Sequence, residues 1–454
     1  MDEVWLGIAE AGRLFRSGEL SPVALTRKLL ERIERLDPLC NAFLLRTPEL
    51  ALAQARQAGE ELAGGLDRGP MHGIPYALKD IIDVAGLPTT CHSKIRREHV
   101  AQETAAVVQR LLQAGAVMLG KTSLHEFAIG GPTEELPWPP ARNPWNLALH
   151  PGGSSSGSGT ALAAGLAPAA LGTDTGGSVR NPATSCGLIG MKPTFGLVSC
   201  EGVFPLAPSL DHVGPMTRGV EDNALLLEAL TGRPGAYTSM LGMRLTHLRI
   251  GVIEHFYTED DTAHPEQVSA LEAALGVLRS LGAGVEPIRI SKLAAWRDCG
   301  RTIQQFEQYA VHRLWLKSRP LDYCALSLSK LQPGEVITQE HYEQAGVRRR
   351  ALTEELARVL RDFDAVVTLS GLEMPCLIDR PDEIARTYMR NLRMPFSLTG
   401  SPALAVPTGF SRDGLPLGMQ IVGKAHDEAT LYAIARAYCD GTGWTERHPA
   451  LIAV

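Results

Sequence analysis

The chain has 454 residues, of which 44% are hydrophobic and 21% charged, and this balance excludes a disordered or fibrous protein. Its 50 acidic and 44 basic residues give a formal net charge of −6 at pH 7, so neither nucleic acid nor a membrane is predicted as a partner. No apolar run approaches the roughly 20 residues that span a bilayer, and the acidic start of the chain lacks the basic residues of a signal peptide, so a cytoplasmic location is expected.

The first third of the chain is predicted to begin with helices and to continue with short strands. Residues 1–65 have helical spacing, and Ser21 followed by Pro22 is typical of a helix start. The elements expected after that start are, in chain order, helices at 23–36 and 51–62, a strand at 73–82, a helix at 105–114, a strand at 116–120, a loop at 131–153, a helix at 156–166, a strand at 168–172 and a glycine-rich turn at 173–180.

The rest of the chain continues the alternation of helices and strands. We expect strands at 248–253, 365–368, 403–406 and 419–422, and helices at 267–281, 301–317, 340–361 and 427–440. This alternation predicts an α/β protein with a largely buried sheet. The linker-like stretch at 232–242 is too short to separate two independent domains, so a single domain over residues 1–454 is expected.

The cysteines and histidines do not indicate a disulfide framework or a metal site. None of the eight cysteines forms a C-x-x-C pair, and reduced buried thiols are expected in a long chain without a secretion signal. The 13 histidines include no H-E-x-x-H motif. No metal and no cofactor are predicted.

Two glycine- and serine-rich segments, 151–160 and 172–182, need an explanation. A flexible linker is one interpretation of the first, but the segment runs directly into an alanine-rich helix. A phosphate-binding loop would need lysine where Ser158 stands. A dinucleotide-binding turn would need a third glycine after Gly157 and Gly159 at the required distance. Nucleotide binding is therefore not favoured.

The second segment, 172–182, has a serine preceded by two glycines, a pattern that suits a nucleophile with backbone N–H donors beside it. Acyl transfer needs an activated oxygen, a base, and N–H groups directed at the developing oxyanion. Glycines allow successive amides to turn toward one point, and Gly176 and Gly177 directly precede Ser178. We therefore predict Ser178 as the attacking oxygen.

Several motifs together resemble the amidase signature family. They are Gly-Gly-Ser-Ser-Ser-Gly-Ser at 152–158, Asp-Thr-Gly-Gly-Ser-Val-Arg-Asn-Pro at 174–182, Gly-Ile-Pro-Tyr-Ala-Leu-Lys-Asp at 73–80, and further matches at 120–122, 142–145, 192–194, 210–215, 400–407 and 414–423. The resemblance is dense over about 70–220 and 396–450. It implies a central mixed sheet covered by helices on both faces. It also implies N-terminal helices at 1–65, a signature core at 66–230, a variable substrate-side region at 231–395 and a C-terminal core segment at 396–454.

The family uses a Ser–Ser–Lys triad. Carried over by motif, the resemblance implies Ser178 as the nucleophile, Ser154 as the bridging serine and Lys79 as the base. It further implies a cis peptide between Gly153 and Ser154. Oxyanion donors are expected from the backbone amides of Thr175, Gly176, Gly177 and Ser178.

Lys79 can act as a base only if its amine is neutral, so its pKa must be lowered. Its apolar neighbours at 74–78 and 81–82 are expected to desolvate the ammonium, which disfavours the charged form. Asp80 could keep Lys79 charged, but neighbouring residues of a strand point to opposite faces. A snorkelling surface lysine is the alternative that the two serine segments argue against.

Other residues are expected to support the site. Ser155 and Asp174 are interpreted as hydrogen-bond partners of the triad, and Arg180 as an ion partner of Asp174, with ordinary loop capping as an equal alternative. Cys186 has an apolar, unpaired setting and is not favoured as a nucleophile. In the family, the segment after Lys121 lines the acyl pocket, here Phe127, Ala128, Ile129 and Gly130, with plain core packing as the alternative.

The resemblance predicts a hydrolase of carbon–nitrogen bonds in linear amides, but it leaves the amide open. A carbamate (urethane) or biuret-type substrate is equally compatible with the triad. The A subunit of a tRNA-dependent amidotransferase is a further alternative. Its usual glycine-tyrosine-tyrosine and basic motifs are not evident, so a free-standing hydrolase of a small-molecule amide or carbamate is favoured. Homodimers are usual among relatives, so a homodimer is a possible assembly, but the sequence leaves the oligomeric state open.

Overall fold

Eleven strands form a single mixed sheet in the computed structural model, which describes residues 2–450. The strands are β1 (Phe43–Arg46), β2 (Pro75–Lys79), β3 (Val117–Thr122), β4 (Ala169–Thr173), β5 (Ile189–Lys192), β6 (Val213–Thr217), β7 (Arg249–Val252), β8 (Gly284–Pro287), β9 (Ala365–Leu369), β10 (Ala403–Phe410) and β11 (Pro416–Gly423). The ends of the predicted domain, residue 1 and residues 451–454, lie outside the described residues.

Fifteen α-helices surround the sheet within residues 2–450. They are α1 (Ile8–Ser17), α2 (Pro22–Cys40), α3 (Pro48–Ala63), α4 (Ala106–Gln113), α5 (Ser156–Ala163), α6 (Arg180–Cys186), α7 (Val220–Thr231), α8 (His255–Thr258), α9 (Pro265–Ser280), α10 (Leu293–Ser318), α11 (Ala325–Leu331), α12 (Gln339–Asp362), α13 (Pro381–Met389), α14 (Met394–Leu398) and α15 (Glu428–Asp440). Short 3-10 turns lie at Glu3–Trp5, Lys94–Arg96, Glu126–Ala128, Pro320–Asp322, Gln332–Val336 and Trp444–Glu446.

The strand order explains why the chain folds as one domain. The order is β1-β3-β2-β4-β6-β5-β10-β11-β9-β7-β8, so the C-terminal hairpin β10–β11 is inserted between β5 and β9. β10 pairs antiparallel with β5, and β11 pairs antiparallel with β9. The hairpin therefore joins the six strands from the first half of the chain to the three that follow. The α/β class and the mixed sheet are confirmed.

Helices cover both faces of the central strands. All five residues of β4 are buried, and neighbouring strand residues point to opposite faces, so neither face is open to solvent. The helix pairs α5 with α6 and α7 with α15 pack onto these strands. Short apolar runs such as β4 form strands here because burial on both sides suits continuous rather than alternating apolar sequence.

The predicted helix start at Ser21 is confirmed, but the N-terminal prediction was wrong in one respect. The Ser21 hydroxyl accepts a hydrogen bond from the Ala24 amide at 3.1 Å, and α2 follows. Residues 1–65 are not all helical, because β1 interrupts them and pairs antiparallel with β3. Gly120 permits this pairing, since a side chain there would overlap the Leu45 carbonyl oxygen. A four-residue apolar run between helices carries no signal that predicts its strand partner.

Parallel pairing brings the functional loops to one edge of the sheet. β2 runs parallel to both β3 and β4, so the carboxyl ends of the three strands meet. Lys79 is the last residue of β2, and Thr173 is the last residue of β4. The loops that carry the predicted site residues follow these ends. Among residues 2–450, no helix combines the length and the apolar character needed to cross a membrane.

Candidate active site

Lys79 lies at the centre of the candidate site and has no exposed surface. Its Nζ donates hydrogen bonds to Ser154 Oγ at 2.9 Å and to Thr173 Oγ1 at 2.7 Å. Both partners are neutral hydroxyls, so neither one stabilises an ammonium as a carboxylate would. Thr173 lies inside the glycine-rich segment 172–182. Its contact with Lys79 was not predicted, because nothing in the sequence places the end of β4 beside the end of β2.

Burial decides the charge of Lys79. Desolvation lowers the pKa of its amine to about 7, although the carboxylates of Asp174 and Asp211 act to raise it. The expected neighbour Asp80 does not neutralise Lys79. Its carboxylate instead contacts Lys121 Nζ at 2.9 Å, because the side chain points to the other side of the strand. A large fraction of the Lys79 amine is therefore uncharged at neutral pH.

Ser154 is held by the turn that leads into α5. The peptide between Gly153 and Ser154 is cis, and the Ser154 carbonyl accepts a hydrogen bond from the His125 amide at 3.1 Å. Ser154 is 2% exposed. A side chain on residue 153 would overlap the His125 ring, so this close approach requires glycine. The hydroxyl of Ser154 is thereby presented to Lys79.

Ser178 lies in the turn between β4 and α6 and is half-buried. Its carbonyl oxygen accepts a hydrogen bond from the Ser155 amide at 3.2 Å, which ties the two serine-rich loops together. Ser154 and Ser178 line the same cavity, of about 480 Å³. Within residues 2–450 their two hydroxyls are not hydrogen-bonded to each other. Catalytic hydrogen bonds of this kind often tighten only when substrate is bound.

Ser155 supports Lys79 through Thr173. Its hydroxyl donates to the Thr173 carbonyl and accepts from the Thr173 amide, both at 3.2 Å. These two bonds hold the end of β4 while the Thr173 hydroxyl contacts the lysine. Ser155 therefore makes no direct hydrogen bond to Lys79 and acts on it through Thr173.

Asp174 and Arg180 form a fully buried ion pair beneath the turn that carries Ser178. The guanidinium contacts both carboxylate oxygens, with Nε to Oδ2 at 3.0 Å and Nη2 to Oδ1 at 2.9 Å. Burial alone would raise the pKa of Asp174, but Arg180 outweighs it and holds the pKa well below its usual range. Asp174 also accepts the amides of Gly177 and Val179. The pair thus fixes the backbone around Ser178.

The four amides predicted as oxyanion donors are not equivalent. The Gly177 amide already donates to Asp174 Oδ1 at 2.8 Å, so it differs from the expectation of a free donor. Within residues 2–450, the amides of Thr175, Gly176 and Ser178 have no hydrogen-bond partner. The Thr175 hydroxyl is anchored by Asp211 Oδ1 at 2.5 Å. Three amides therefore remain available to a ligand.

The segment 127–130 divides between core and cavity. Ala128, Ile129 and Gly130 line the cavity. Phe127 departs from the expectation, because its fully buried ring packs against Phe204, with 5.2 Å between ring centroids, and does not line the cavity. Backbone geometry explains the split, since φ is +50° at Phe127 and +64° at Ala128, which turns successive side chains in different directions.

Two further features of the site follow from the tertiary structure. Burial raises the pKa of the Cys186 thiol, as expected for an inert cysteine.

The cavity wall also contains polar residues of α10, α11 and the start of α14 that the sequence did not indicate. They come from residues 297–393, where the motifs give no guide, and include Arg301, Gln304, Lys330 and Arg393.

Comparison with known proteins gives a consistent result. The chain matches the family model described as Amidase over residues 24–432. It is similar to the A subunit of the glutamyl-tRNA(Gln) amidotransferase of Methylococcus capsulatus, with 38% identity over 98% of this chain and 99% of that protein.

Solved structures have the same fold. An amidase of known crystal structure is 33% identical, covers 95% of this chain and 99% of its own, and superposes with a TM-score of 0.87. A 6-aminohexanoate cyclic dimer hydrolase complexed with substrate is 28% identical, covers 100% of both chains, and has a TM-score of 0.89.

Replacing Asp174 by asparagine is expected to destabilise the protein strongly. The substitution leaves the Arg180 guanidinium buried without its counter-charge, which typically costs about 3–5 kcal/mol. Chemical denaturation of Asp174→Asn and the unmodified protein measures the difference.

Asp67→Asn is the matched control, because Asp67 pairs with Arg16 at 2.7 Å on the surface. An exposed pair of this kind contributes about 0–1 kcal/mol. Equal losses in the two variants would contradict a supporting role for the Asp174–Arg180 pair.

Proposed function

The chain belongs to the amidase family, and we propose that it cleaves an amide through an acyl-enzyme on Ser178. It is a hydrolase of carbon–nitrogen bonds other than peptide bonds. The observation that carries the proposal is the contact of the buried Lys79 amine with Ser154 Oγ at 2.9 Å. Ser154 and Ser178 line the same cavity. A lysine with a lowered pKa and two hydroxyls supplies a base, a relay and a nucleophile.

The first half of the reaction forms the ester. Ser178 Oγ attacks the carbonyl carbon of the amide while its proton passes to Ser154 Oγ. Ser154 passes its own proton to the neutral Lys79 Nζ. This step requires Ser178 Oγ to approach Ser154 Oγ when the amide is bound. The negative charge that develops on the carbonyl oxygen is received by the unpaired amides of Thr175 and Gly176, with that of Ser178.

The second half releases the two products. The protons return from Lys79 through Ser154 to the leaving nitrogen, which departs as ammonia or an amine. A water molecule then attacks the Ser178 ester and gives up a proton to the same relay. The relay returns this proton to Ser178 Oγ as the ester bond breaks, which releases the carboxylic acid and restores the free serine. Protonation of the nitrogen is essential, because an amide anion is a very poor leaving group.

Two biological roles use this chemistry. The first is that of an amidotransferase component. The 38% identity to the A subunit of a glutamyl-tRNA(Gln) amidotransferase favours this role more strongly than it does the free-standing hydrolase expected from the sequence. The second is a free-standing amidase, which the likeness to an amidase and to a 6-aminohexanoate cyclic dimer hydrolase supports. Carbamate and biuret-type substrates remain within the same chemistry.

Ser178→Ala is expected to abolish amide turnover. Loss of a catalytic nucleophile removes about 10⁴-fold or more of the rate. Mass spectrometry of the unmodified protein, quenched during turnover, should find the acyl group on the peptide that contains Ser178. Ser329→Ala is a suitable control, because Ser329 lines the same cavity without contact to Lys79. Near-normal turnover by Ser178→Ala would refute the assignment.

The rate should fall below neutral pH because Lys79 must be uncharged to accept a proton. With a pKa of about 7, kcat/KM is expected to be level above that pH and to fall about tenfold per pH unit below it. Measurements of kcat/KM between pH 5 and 9, on an amide that does not titrate there, give the profile.

Lys79→Arg tests the same idea with a side chain that stays charged. Arginine keeps its proton throughout this range, so activity should drop about 10²–10⁴-fold at every pH. A variant that kept both the rate and the pH profile would eliminate Lys79 as the base.

Because the amidotransferase role is favoured, ammonia release from L-glutamine by the chain is expected to increase when partner proteins and tRNA are added. A panel of amides, carbamates, ureas and L-glutamine, with and without candidate partner proteins and tRNA, separates the roles. Turnover of L-glutamine only in the presence of partners and tRNA would assign the amidotransferase role. Turnover of simple amides by the chain alone would assign the free-standing one.

A further inference from the structure

One face of helix α10 forms part of the cavity wall and is entirely polar. The residues that reach the cavity follow helical spacing along a single stripe, at Arg297, Arg301, Gln304, Gln305 and Gln308. Side chains at these intervals lie above one another on the same face. This stripe therefore presents two guanidinium groups and three carboxamides to whatever occupies the space beside Ser178.

The charges of the wall have one sign. Lys330 of α11 and Arg393 at the start of α14 add to the two arginines of the stripe, and within residues 2–450 no aspartate or glutamate lines the cavity. Burial lowers the pKa of Lys330 to about 8 and that of Arg393 to about 10, so both are still mainly protonated at neutral pH. A cavity with four cationic side chains and no carboxylate attracts an anion.

Three of the four cations are already engaged. Arg297 pairs with Asp261 at 3.0 Å. Lys330 donates to the Gly130 carbonyl at 2.9 Å. Arg393 donates to the Ser370 carbonyl. These bonds hold the three side chains in place, while the buried Nη2 of Arg297 and Nε of Arg393 have no hydrogen-bond partner among residues 2–450.

Arg301 is the cation with the weakest internal partner. It approaches Asp298 at 3.6 Å, three residues earlier on the same helix, and its side chain is 56% exposed. Exposed pairs of this kind contribute little and are readily exchanged. Its planar fork of N–H donors matches a carboxylate in a bidentate contact.

We propose that the substrate is an amide that carries a carboxylate at its other end, and that Arg301 receives this carboxylate. The inference rests on the proposed function, because it names the substrate class of the same site. The apolar residues Ala128 and Ile129 line the cavity too, and they suit a short methylene chain between the two groups. Binding through the carboxylate positions the amide at Ser178 before the bond breaks.

Matched substrate pairs test the proposal. Succinamate, glutaramate and adipamate are compared with 4-hydroxybutanamide, 5-hydroxypentanamide and 6-hydroxyhexanamide, which replace the carboxylate by an alcohol at equal chain length. Ammonia release by the full-length protein gives kcat/KM for each. A charge-assisted hydrogen bond predicts a preference of about tenfold or more for at least one carboxylate over its alcohol.

Arg301→Gln should remove this preference by raising KM for the carboxylate, with little change for the alcohol. Arg313→Gln is the control, because it removes the same charge from an exposed position on the same helix that does not line the cavity. Equal kcat/KM for carboxylate and alcohol in the unmodified protein would overturn the proposal. A preference that survives Arg301→Gln would overturn it as well.

A binding measurement separates this proposal from the proposed function. Calorimetry with glutarate and with 1,5-pentanediol, on Ser178→Ala and on the same variant with Arg301→Gln, needs no turnover. Binding of glutarate but not of the diol, weakened about tenfold by Arg301→Gln, supports the carboxylate site even if no amide is cleaved. Failure of glutarate to bind would overturn it even if neutral amides are hydrolysed.

Discussion

The buried amine of Lys79, with its lowered pKa, is the feature on which the proposed site depends. At the end of a fully buried strand, the amine contacts the hydroxyls of Ser154 and Thr173 at 2.9 and 2.7 Å, and no carboxylate of residues 2–450 is hydrogen-bonded to it. Desolvation then lowers its pKa to about 7. A lysine on the surface would remain charged at neutral pH and could not accept a proton from a serine.

The neighbouring residues Asp174 and Arg180 remain charged although they are also buried. Asp174 and Arg180 are buried as deeply, yet they keep their charges because each satisfies the other through two hydrogen bonds. Their pairing stabilises the turn that presents Ser178. The protein thus combines a buried lysine whose pKa is lowered with a buried ion pair that retains its charge. The two differ in their partners rather than in their degree of burial.

The candidate triad and the facing wall of the cavity come from different parts of the chain. The proposed reacting groups lie at the end of β2 (Lys79), before α5 (Ser154) and after β4 (Ser178), in the part of the chain where its motifs are dense. The facing wall comes from α10, α11 and the start of α14. A change in the residues of the wall can therefore leave the contacts of Lys79, Ser154 and Thr173 unchanged.

The sequence by itself determined the α/β class and most helices and strands, because periodicity is a local property. Its motifs resemble those of the amidase family, and this resemblance implied the roles of Lys79 and Ser154 and agreed with the prediction of Ser178 as nucleophile. It did not determine β1, the second contact of Lys79 with Thr173, the engaged amide of Gly177 or the inward packing of Phe127. It also did not indicate the cationic wall around Arg301. Most of these depend on segments that are distant in the chain, because β1 pairs with β3, the end of β4 approaches the end of β2, and α10 packs beside the loops. The Gly177 contact is different, since Asp174 lies only three residues before it and the fold of the turn brings the two together.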